Sequence, residues 1–152
     1  FPWPTKKVLF TEEFVCVARA NNRRVPDAMS MDQFYSMPRA VPPHRRYWPE
    51  EHTDHSDAYP LASMPFAAIP IFVANSDYVA LIPERLLETF QSSLPLRRVR
   101  LTEPLPSVNI SIKWHGAALA DPFHTWILAQ ILHITTERAF ALRPPPARSS
   151  RT

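Results

Sequence analysis

The feature that most constrains this chain is a short apolar run at residues 78–82 (YVALI), set between two helical patterns. A run without polar alternation predicts a strand buried on both faces, and such strands are typical of parallel sheets covered by helices. Residues 66–74 are apolar over a helix length, although Pro70 would kink that helix, and residues 84–91 repeat apolar side chains at helical spacing. The stretch therefore predicts helix, strand and helix, which is half of an α/β domain.

A second apolar run, residues 14–18 (FVCVA), also predicts a buried strand. We expect the two runs to lie side by side in the same direction, with helices above and below. Between them, Ser30 and Gln33 have the spacing of a capping box and predict a short helix that ends before Pro38. Residues 108–114 alternate apolar and polar side chains, which predicts a half-exposed strand. Asp121 then caps a final helix.

Charge and cysteine content exclude some functions. The 152 residues suffice for one domain with a core, and the net charge of +3 is too small to argue nucleic-acid binding. Three of the basic residues fall in residues 95–101, where we expect a charged edge strand that resists aggregation: Arg97, Arg98 and Arg100. The single cysteine, Cys16, predicts an inert buried thiol and a reducing compartment. No run is long enough for a membrane span.

Chemistry-bearing motifs are few. One cluster has side chains that can bind zinc or nickel: His52, Asp54, His55 and Asp57. No further ligands follow at a recognised spacing, so a solvated loop is the preferred interpretation. Gly116 is the single glycine, which excludes the usual phosphate loops and the nucleophile elbow. We therefore expect no enzyme, cofactor or metal. Turns that need positive φ would have to use Asn or Asp, for example Asn21-Asn22 and Asn75.

Residues 76–86 (SDYVALIPERL), preceded by an apolar helix, resemble the effector-binding domain of LysR-type transcriptional regulators, in the branch of nodulation and aromatic-degradation regulators. The order of elements agrees over residues 8–40 and 63–134, and the end of the chain is similar to the family in Trp114-His115, Asp121-Pro122 and Trp126. Residues 41–61 depart from the family pattern, lacking its helix and its Gly-Leu-x-Arg turn, and there we expect a loop.

The resemblance implies an α/β fold, a periplasmic-binding-protein-like lobe with a mostly parallel sheet covered by helices and an incomplete second lobe. Residues 1–142 would be a partial effector-binding domain without a helix-turn-helix. Residues 14–101 would form mainly the second lobe, and 107–137 the strand and helix that return to the first. Residues 143–152 would be a disordered tail. Such a fragment would leave Trp126, Ile110 and Ile112 uncovered, so we expect an exposed apolar patch and low stability.

The function implied by the resemblance is sensing: a small aromatic or carboxylate inducer, an aromatic acid or flavonoid-like molecule, binds between two lobes and alters transcription. The positions carried over as facing the inducer are Arg39, Met64, Pro65, Phe66 and Asn109. DNA would be reached only through a helix-turn-helix absent from this chain, and the full regulator would be a cytoplasmic homodimer or homotetramer with no membrane contact. The alternatives are a stand-alone periplasmic-type small-molecule binding protein and a metal-dependent enzyme built on His52 and His55.

Overall fold

The structure, a computed structural model, describes residues 5–43 and 60–137. The chain divides into two units: the central unit, residues 12–108, and the terminal unit, residues 1–11 with 109–152. In chain order the elements are β1 Thr5–Glu12, β2 Phe14–Arg19, β3 Ala28–Met29, α1 Met31–Tyr35, β4 Arg39–Val41, β5 Leu61–Ser63, a 3₁₀ turn Phe66–Ala68, α2 Ile69–Ala74, β6 Ala80–Pro83, α3 Glu84–Phe90, β7 Leu96–Leu101, β8 Val108–Trp114, a 3₁₀ turn Gly116–Ala120 and α4 Pro122–Glu137.

The central unit is built on a four-stranded sheet of order β3-β7-β2-β6. β3 is parallel to β7, whereas β2 is antiparallel to both of its neighbours. β4 and β5 form a parallel pair, which joins the sheet through a parallel bridge between Arg39 and Val79, where the Ala40 amide donates to the Val79 carbonyl at 2.9 Å. Five of these strands therefore run in one direction, and β2 runs against them.

Two of the sequence predictions about strand direction need correction. Residues 14–18 and 78–82 are neighbours, with Cys16 opposite Leu81, but they are antiparallel, so the prediction of a common direction is wrong. The sheet is mixed, and the predicted mostly parallel sheet is correct only for the pairs outside β2. The physical reason is that an apolar run reports burial of both strand faces, and helices on both sides of a sheet bury a strand of either direction.

Two apolar clusters lie on opposite faces of the sheet, and β2 contributes alternate residues to each, as its pleat requires. Cluster 1 packs beneath α1 and contains Cys16, Ala18, Val25, Met29, Met31, Phe34, Tyr35, Val79, Leu81 and Val99. Cluster 2 packs beneath α2 and α3 and contains Val15, Val17, Ala40, Ile69, Val73, Ala80, Ile82 and Leu87. This double cover makes the central unit an α/β layered structure.

Local helix signals are confirmed, with one change. The Gln33 amide donates to Ser30 Oγ and the Ser30 amide to Gln33 Oε1, so α1 has the predicted capping box. α2 begins at Ile69 with Pro70 in its first turn, where a missing N–H costs no helical bond. The predicted helix over 66–74 is therefore divided into a 3₁₀ turn and the shorter α2. The prediction that asparagines supply positive φ is wrong for the described residues, since none has positive φ and Asn75 lies at −114°.

The predicted edge strand at 95–101 is an interior strand. β7 lies between β2 and the two-residue β3, which was too short to be recognised from sequence. Arg97 donates to the Asn22, Val25 and Pro26 carbonyls and pairs with Asp27 at 3.2 Å, so it holds the loop before β3 instead of facing solvent alone. The predicted loop over 41–61 is also shorter, because Val41 ends β4 and Leu61 begins β5. Its middle, residues 44–59, and the predicted disordered tail at 143–152 lie outside the described residues.

The terminal unit contains a two-stranded ribbon, β1 with β8, and the sixteen-residue α4. Asp121 caps α4 as predicted, with its Oδ1 accepting from the Phe123 amide at 2.9 Å. Every buried apolar residue of the described chain belongs to the central unit, and the terminal unit exposes several large ones. The predicted exposed patch is confirmed at Ile110 and Trp126, while Ile112 is half-buried. None of the described helices has the length and apolarity to span a membrane.

Candidate functional site

The carboxyl ends of the strands define one edge of the central sheet. β4 ends at Val41, β5 at Ser63, β6 at Pro83 and β7 at Leu101, and the register of β2 brings Phe14 opposite Pro83. In α/β sheets with a common strand direction, ligands bind at this edge, outside the carboxyl ends of the strands. We call it the carboxyl edge, and we ask which of the predicted inducer-facing residues lie there.

Three predicted residues, Met64, Pro65 and Phe66, follow β5 directly and are held at the carboxyl edge by the backbone. The Met64 amide donates to the Val41 carbonyl at 3.0 Å, which fixes the segment against the end of β4. The Pro65 carbonyl accepts from the Ala68 amide at 2.9 Å and opens the 3₁₀ turn. Because the ring of Pro65 fixes its φ near the observed −56°, the turn is favoured by sequence.

The side chains of this segment form a partly exposed apolar surface. Met64 and Phe66 are half-buried and pack against cluster 2, while Pro65 is exposed. The Phe66 ring lies 6.2 Å from the Phe14 ring, centroid to centroid, at an interplanar angle of 51°. Two tilted aromatic rings beside a methionine are suited to contact a flat apolar ligand.

Arg39 has a different environment. Its side chain is 3% exposed, one guanidinium nitrogen donates to the Tyr35 carbonyl at 2.8 Å, and its carbon lies 4.9 Å from the Tyr35 ring centroid and 6.0 Å from that of Phe34. Both aromatic residues belong to cluster 1, and the next residue in β4, Ala40, belongs to cluster 2. Arg39 therefore lies on the α1 face of the sheet, away from Met64 and Phe66, and it ties α1 to β4.

Asn109 belongs to the terminal unit, where its Oδ1 accepts a hydrogen bond from Thr11 Oγ1 at 2.8 Å across the β1–β8 ribbon. The structure thus brings three of the five predicted residues together in the central unit, namely Met64, Pro65 and Phe66. It separates Arg39 from them by the thickness of the sheet. Asn109 is part of the other unit.

Sequence reasoning missed a buried carboxylate at the carboxyl edge. Glu12, at the end of β1, is buried and pairs with Arg85 Nε at 3.3 Å. Burial raises the pKa of the Glu12 carboxyl, the positive charge of Arg85 opposes that rise, and the negative charges of Glu84 and Glu88 add to it. The available signal was an acidic residue shortly before the predicted strand at 14–18, together with the arginine of the 76–86 motif.

Glu84 links α3 to the neighbouring strands. Its amide donates to the Glu13 carbonyl at 2.8 Å and its carboxylate pairs with Arg98 of β7. With Glu12 and Glu13, the described groups around the start of α3 are mainly acidic, and Arg85 is already paired. This part of the edge therefore has little excess positive charge for an anionic ligand.

The described residues contain neither a reactive thiol nor a candidate metal centre. Burial raises the pKa of the Cys16 thiol to about 12, which agrees with the expected inert side chain. Among the described residues no group of three or more His, Cys, Asp or Glu side chains could hold a metal ion. The cluster at His52, Asp54, His55 and Asp57 lies outside them.

No protein-family model matches the chain. Two similar relatives are nodulation protein D 2 of Rhizobium leguminosarum bv. phaseoli, 30% identical over 125 residues, and nodulation protein D 1 of Bradyrhizobium japonicum, 29% identical over 126 residues. Each match covers 78% of this chain and 39% of the relative, so the chain spans about two fifths of the length of these relatives.

The fold agrees with solved regulatory domains. The regulatory domain of MexT, a transcriptional activator in Pseudomonas aeruginosa, aligns with a TM-score of 0.64 at 18% identity, over 86% of this chain and 67% of that one. The regulatory domain of MetR, a LysR family regulator from N. meningitidis, aligns with a TM-score of 0.64 at 14% identity, over 91% of this chain and 65% of that one. The chain is therefore similar in sequence to nodulation protein D and in fold to a regulatory domain of the LysR family.

These likenesses confirm the resemblance found from the sequence, including its nodulation branch. The homologues are transcriptional regulators and not enzymes, in agreement with the expectation from the motifs. The agreement in fold includes the mixed sheet, since two solved regulator structures align over 86% of this chain although β2 is antiparallel to its neighbours.

Proposed function

We propose that this chain is the inducer-sensing part of a LysR-type DNA-binding transcriptional regulator, and that its inducer is a flat, flavonoid-like or other small aromatic molecule. In this proposal the inducer contacts the central unit at Met64, Pro65 and Phe66. Arg39 shapes the site through the packing of α1 and β4, and Asn109 stays a prediction from the family resemblance.

The observation that carries the proposal is the half-exposed apolar surface of Met64 and Phe66 at the carboxyl edge. Both side chains pack against cluster 2, and backbone hydrogen bonds of Met64 and Pro65 hold the segment that carries them. Little conformational freedom is therefore lost on binding. The Phe14 ring beside Phe66 extends the surface by a second aromatic group. Such an apolar wall with few polar groups is typical of small-molecule sites.

A solved relative of the same fold supports a small-molecule ligand. The regulatory domain of CcmR from Synechocystis PCC6803 has been solved in complex with 2-PG, and it aligns with this chain at a TM-score of 0.63 and 8% identity. At that identity the likeness concerns the fold, so the class of ligand has to be argued from the residues of this chain.

Charge favours an uncharged aromatic inducer over an aromatic acid. Arg39, the one cation among the predicted inducer-facing residues, is buried against Tyr35 and Phe34 on the α1 face. Arg85 and Arg98, near the start of α3, are paired with Glu12 and Glu84. An acid would therefore have to disrupt an existing ion pair or lose its hydration without compensation, and either step costs binding free energy.

The test is calorimetric titration of the full chain with an uncharged hydroxyflavone and, separately, with benzoate. We expect the hydroxyflavone to bind and Phe66→Ala to weaken that binding about tenfold or more, since one buried aromatic contact contributes on the order of 1–3 kcal/mol. Met64→Gln should weaken it less, and benzoate should bind more weakly than the hydroxyflavone.

The matched control is Ile71→Ala, which truncates an exposed apolar side chain of α2 away from the segment. It should leave the affinity unchanged, while circular dichroism melts confirm that each variant is folded. Equal hydroxyflavone affinity in the Phe66 and Ile71 variants would contradict the proposed site. Tighter binding of benzoate would contradict the charge argument.

The activity of the whole regulator is part of the same proposal. DNA would be bound through a helix-turn-helix outside the matched region, within a cytoplasmic homodimer or homotetramer, and the inducer would shift the balance between two arrangements of the assembly. The stand-alone periplasmic-type binding protein is the less favoured alternative, because the relatives are LysR-type regulators.

A further inference from the structure

The proposed inducer surface ends at Phe14, which is not among the five positions carried over from the family resemblance. Along the carboxyl edge the strands follow the order β2, β6, β4 and β5. Neighbouring strands lie about 4.8 Å apart, so the end of β5 is roughly 14 Å from the start of β2. Phe66 follows β5 and Phe14 opens β2, and yet their ring centroids are 6.2 Å apart. The segment 64–66 therefore turns back along the edge towards β2.

Backbone contacts indicate the path of this segment. The Met64 amide donates to the Val41 carbonyl at 3.0 Å, so the segment begins at the end of β4. Phe14 lies opposite Pro83, the last residue of β6, so the two rings meet near the end of β6. Met64, Phe66 and Phe14 thus form one apolar row that extends from β4 to β2.

The Phe14 ring is both accessible and held in place. Its side chain is half-buried, and its backbone belongs to the β2–β6 ladder. Its contact with Phe66 is a tilted aromatic pair, a geometry that aromatic rings prefer to direct face-to-face stacking. Because neither ring carries a polar atom, the pair recognises the shape of a ligand and not its charge.

The angle between the two rings determines which ligands can use both of them. At an interplanar angle of 51°, a single rigid, flat ring system can lie face-on to only one of the rings. A molecule with two ring systems joined by a single bond can rotate the second one to match the second ring. Each such contact removes apolar surface from water and adds to the affinity. The pair therefore distinguishes ligands with two ring systems from ligands with one.

We infer that Phe14 is a selectivity residue of the inducer site, which contacts the second ring system of an inducer whose first ring system lies on Met64 and Phe66. The inference rests on the proposed function and narrows its class of ligand to uncharged molecules with two aromatic ring systems joined by a single bond. An inducer with one ring system gains little affinity from Phe14.

The test is calorimetric titration of the full chain with an uncharged hydroxyflavone and with the matching hydroxychromone, which lacks only the phenyl ring. The quantity compared is the selectivity ratio, the affinity for the hydroxyflavone divided by that for the hydroxychromone. Phe14→Ala should lower this ratio about fivefold or more, because only the hydroxyflavone has the second ring system. Phe66→Ala should weaken the binding of both ligands by similar factors, because both place their first ring system on Phe66.

Two further variants separate ligand contact from folding. Phe14→Leu keeps an apolar side chain at the end of β6 but loses the flat ring, so it should lower the selectivity ratio about threefold in a chain that melts like the parent. Phe72→Ala is the matched control. It removes another half-buried ring, which pairs with Tyr78 at a centroid distance of 5.0 Å before the amino end of β6, and it should leave the selectivity ratio unchanged.

Failure of the inference and failure of the proposed function give different results. If Phe66→Ala weakens both ligands while Phe14→Ala leaves the selectivity ratio unchanged, the inducer site stands and the role of Phe14 is overturned. An equal fall of the ratio in the Phe14 and Phe72 variants also overturns that role. If the parent chain binds neither ligand, or Phe66→Ala weakens neither, the proposed function is contradicted and the inference is overturned with it.

Discussion

The central and terminal units use their apolar residues in opposite ways. The six-residue α2 places Ile69 and Val73 out of solvent completely, because it packs on a sheet that is covered on its other face by α1. The sixteen-residue α4 buries none of its described side chains fully, although it is the longest and among the most apolar elements. Burial therefore follows from the number of layers around an element and not from its length or apolarity.

The same contrast concerns polar groups. In the central unit, the charged Arg39 is buried but satisfied by the Tyr35 carbonyl and two aromatic rings. In the terminal unit, the Trp114 N–H is buried without a partner among the described residues. A packed core accommodates a charge when it supplies acceptors and rings around it. We infer that the stability of the chain resides in the central unit.

The largest expected effect compares two phenylalanines. Phe34→Ala removes a fully buried ring from cluster 1 and should lower the free energy of unfolding of the central unit by about 3–5 kcal/mol. Phe123→Ala removes an exposed ring from α4 and should change it by less than about 0.5 kcal/mol. Urea denaturation followed by circular dichroism measures both. Similar losses in the two variants would contradict the division into a packed and an unpacked unit.

The next effect concerns Arg39. Arg39→Ala should lower the free energy of unfolding by about 2–4 kcal/mol, because it removes a charge-assisted hydrogen bond and ring contacts from a buried site. The same denaturation experiment should show Arg24→Ala, a mainly exposed arginine, near the parent value. If Arg39→Ala is as stable as the parent but binds the inducer poorly, Arg39 contacts the inducer and our structural assignment of it is wrong.

Removal of matched helix caps should give a smaller effect. Ser30→Ala breaks the capping box of α1 and should lower the stability of the central unit by about 1 kcal/mol. Asp121→Ala removes the cap of α4 and should reduce helical ellipticity at 222 nm without shifting the main unfolding midpoint. A shift of that midpoint in the Asp121 variant would indicate that α4 belongs to the cooperative core.

The smallest expected effect is a pH dependence of stability that arises from Glu12. Burial raises its pKa in the folded chain above the ordinary value of 4.5, so the folded state holds the proton more tightly than the unfolded state does. That contribution to stability is present below pH 4.5 and is lost as the pH rises through the raised pKa. The melting temperature of Glu12→Gln relative to the parent should therefore increase from pH 4 to pH 7. Glu13→Gln, at an exposed neighbour, is the matched control for the loss of one carboxylate.

Much of the local structure could be predicted from the sequence because it depends on nearby residues. The Ser30–Gln33 capping box, the start of α3 after Pro83 and the cap of α4 by Asp121 are set by residues at most three positions apart. The family could also be recognised, since the motif at 76–86 combines strand, proline and helix signals in one order.

What could not be predicted depends on distant parts of the chain. The apolar pattern of β2 indicates that both faces of the strand are buried. It does not indicate that Cys16 lies opposite Leu81 in an antiparallel register. The position of Arg39 on the α1 face follows from the pleat of β4 and the packing of Tyr35, which no local pattern indicates. The interior position of β7 depends on a two-residue strand, below the length that periodicity can detect.

Native-state hydrogen exchange of the full chain, resolved by segment, tests most directly whether the packed core is confined to the central unit. We predict that amides of β2 and β6 exchange only through global unfolding, while those of α4 exchange through local opening with far smaller protection. Protection of α4 equal to that of β2 would contradict the claim that the central unit alone holds the packed core.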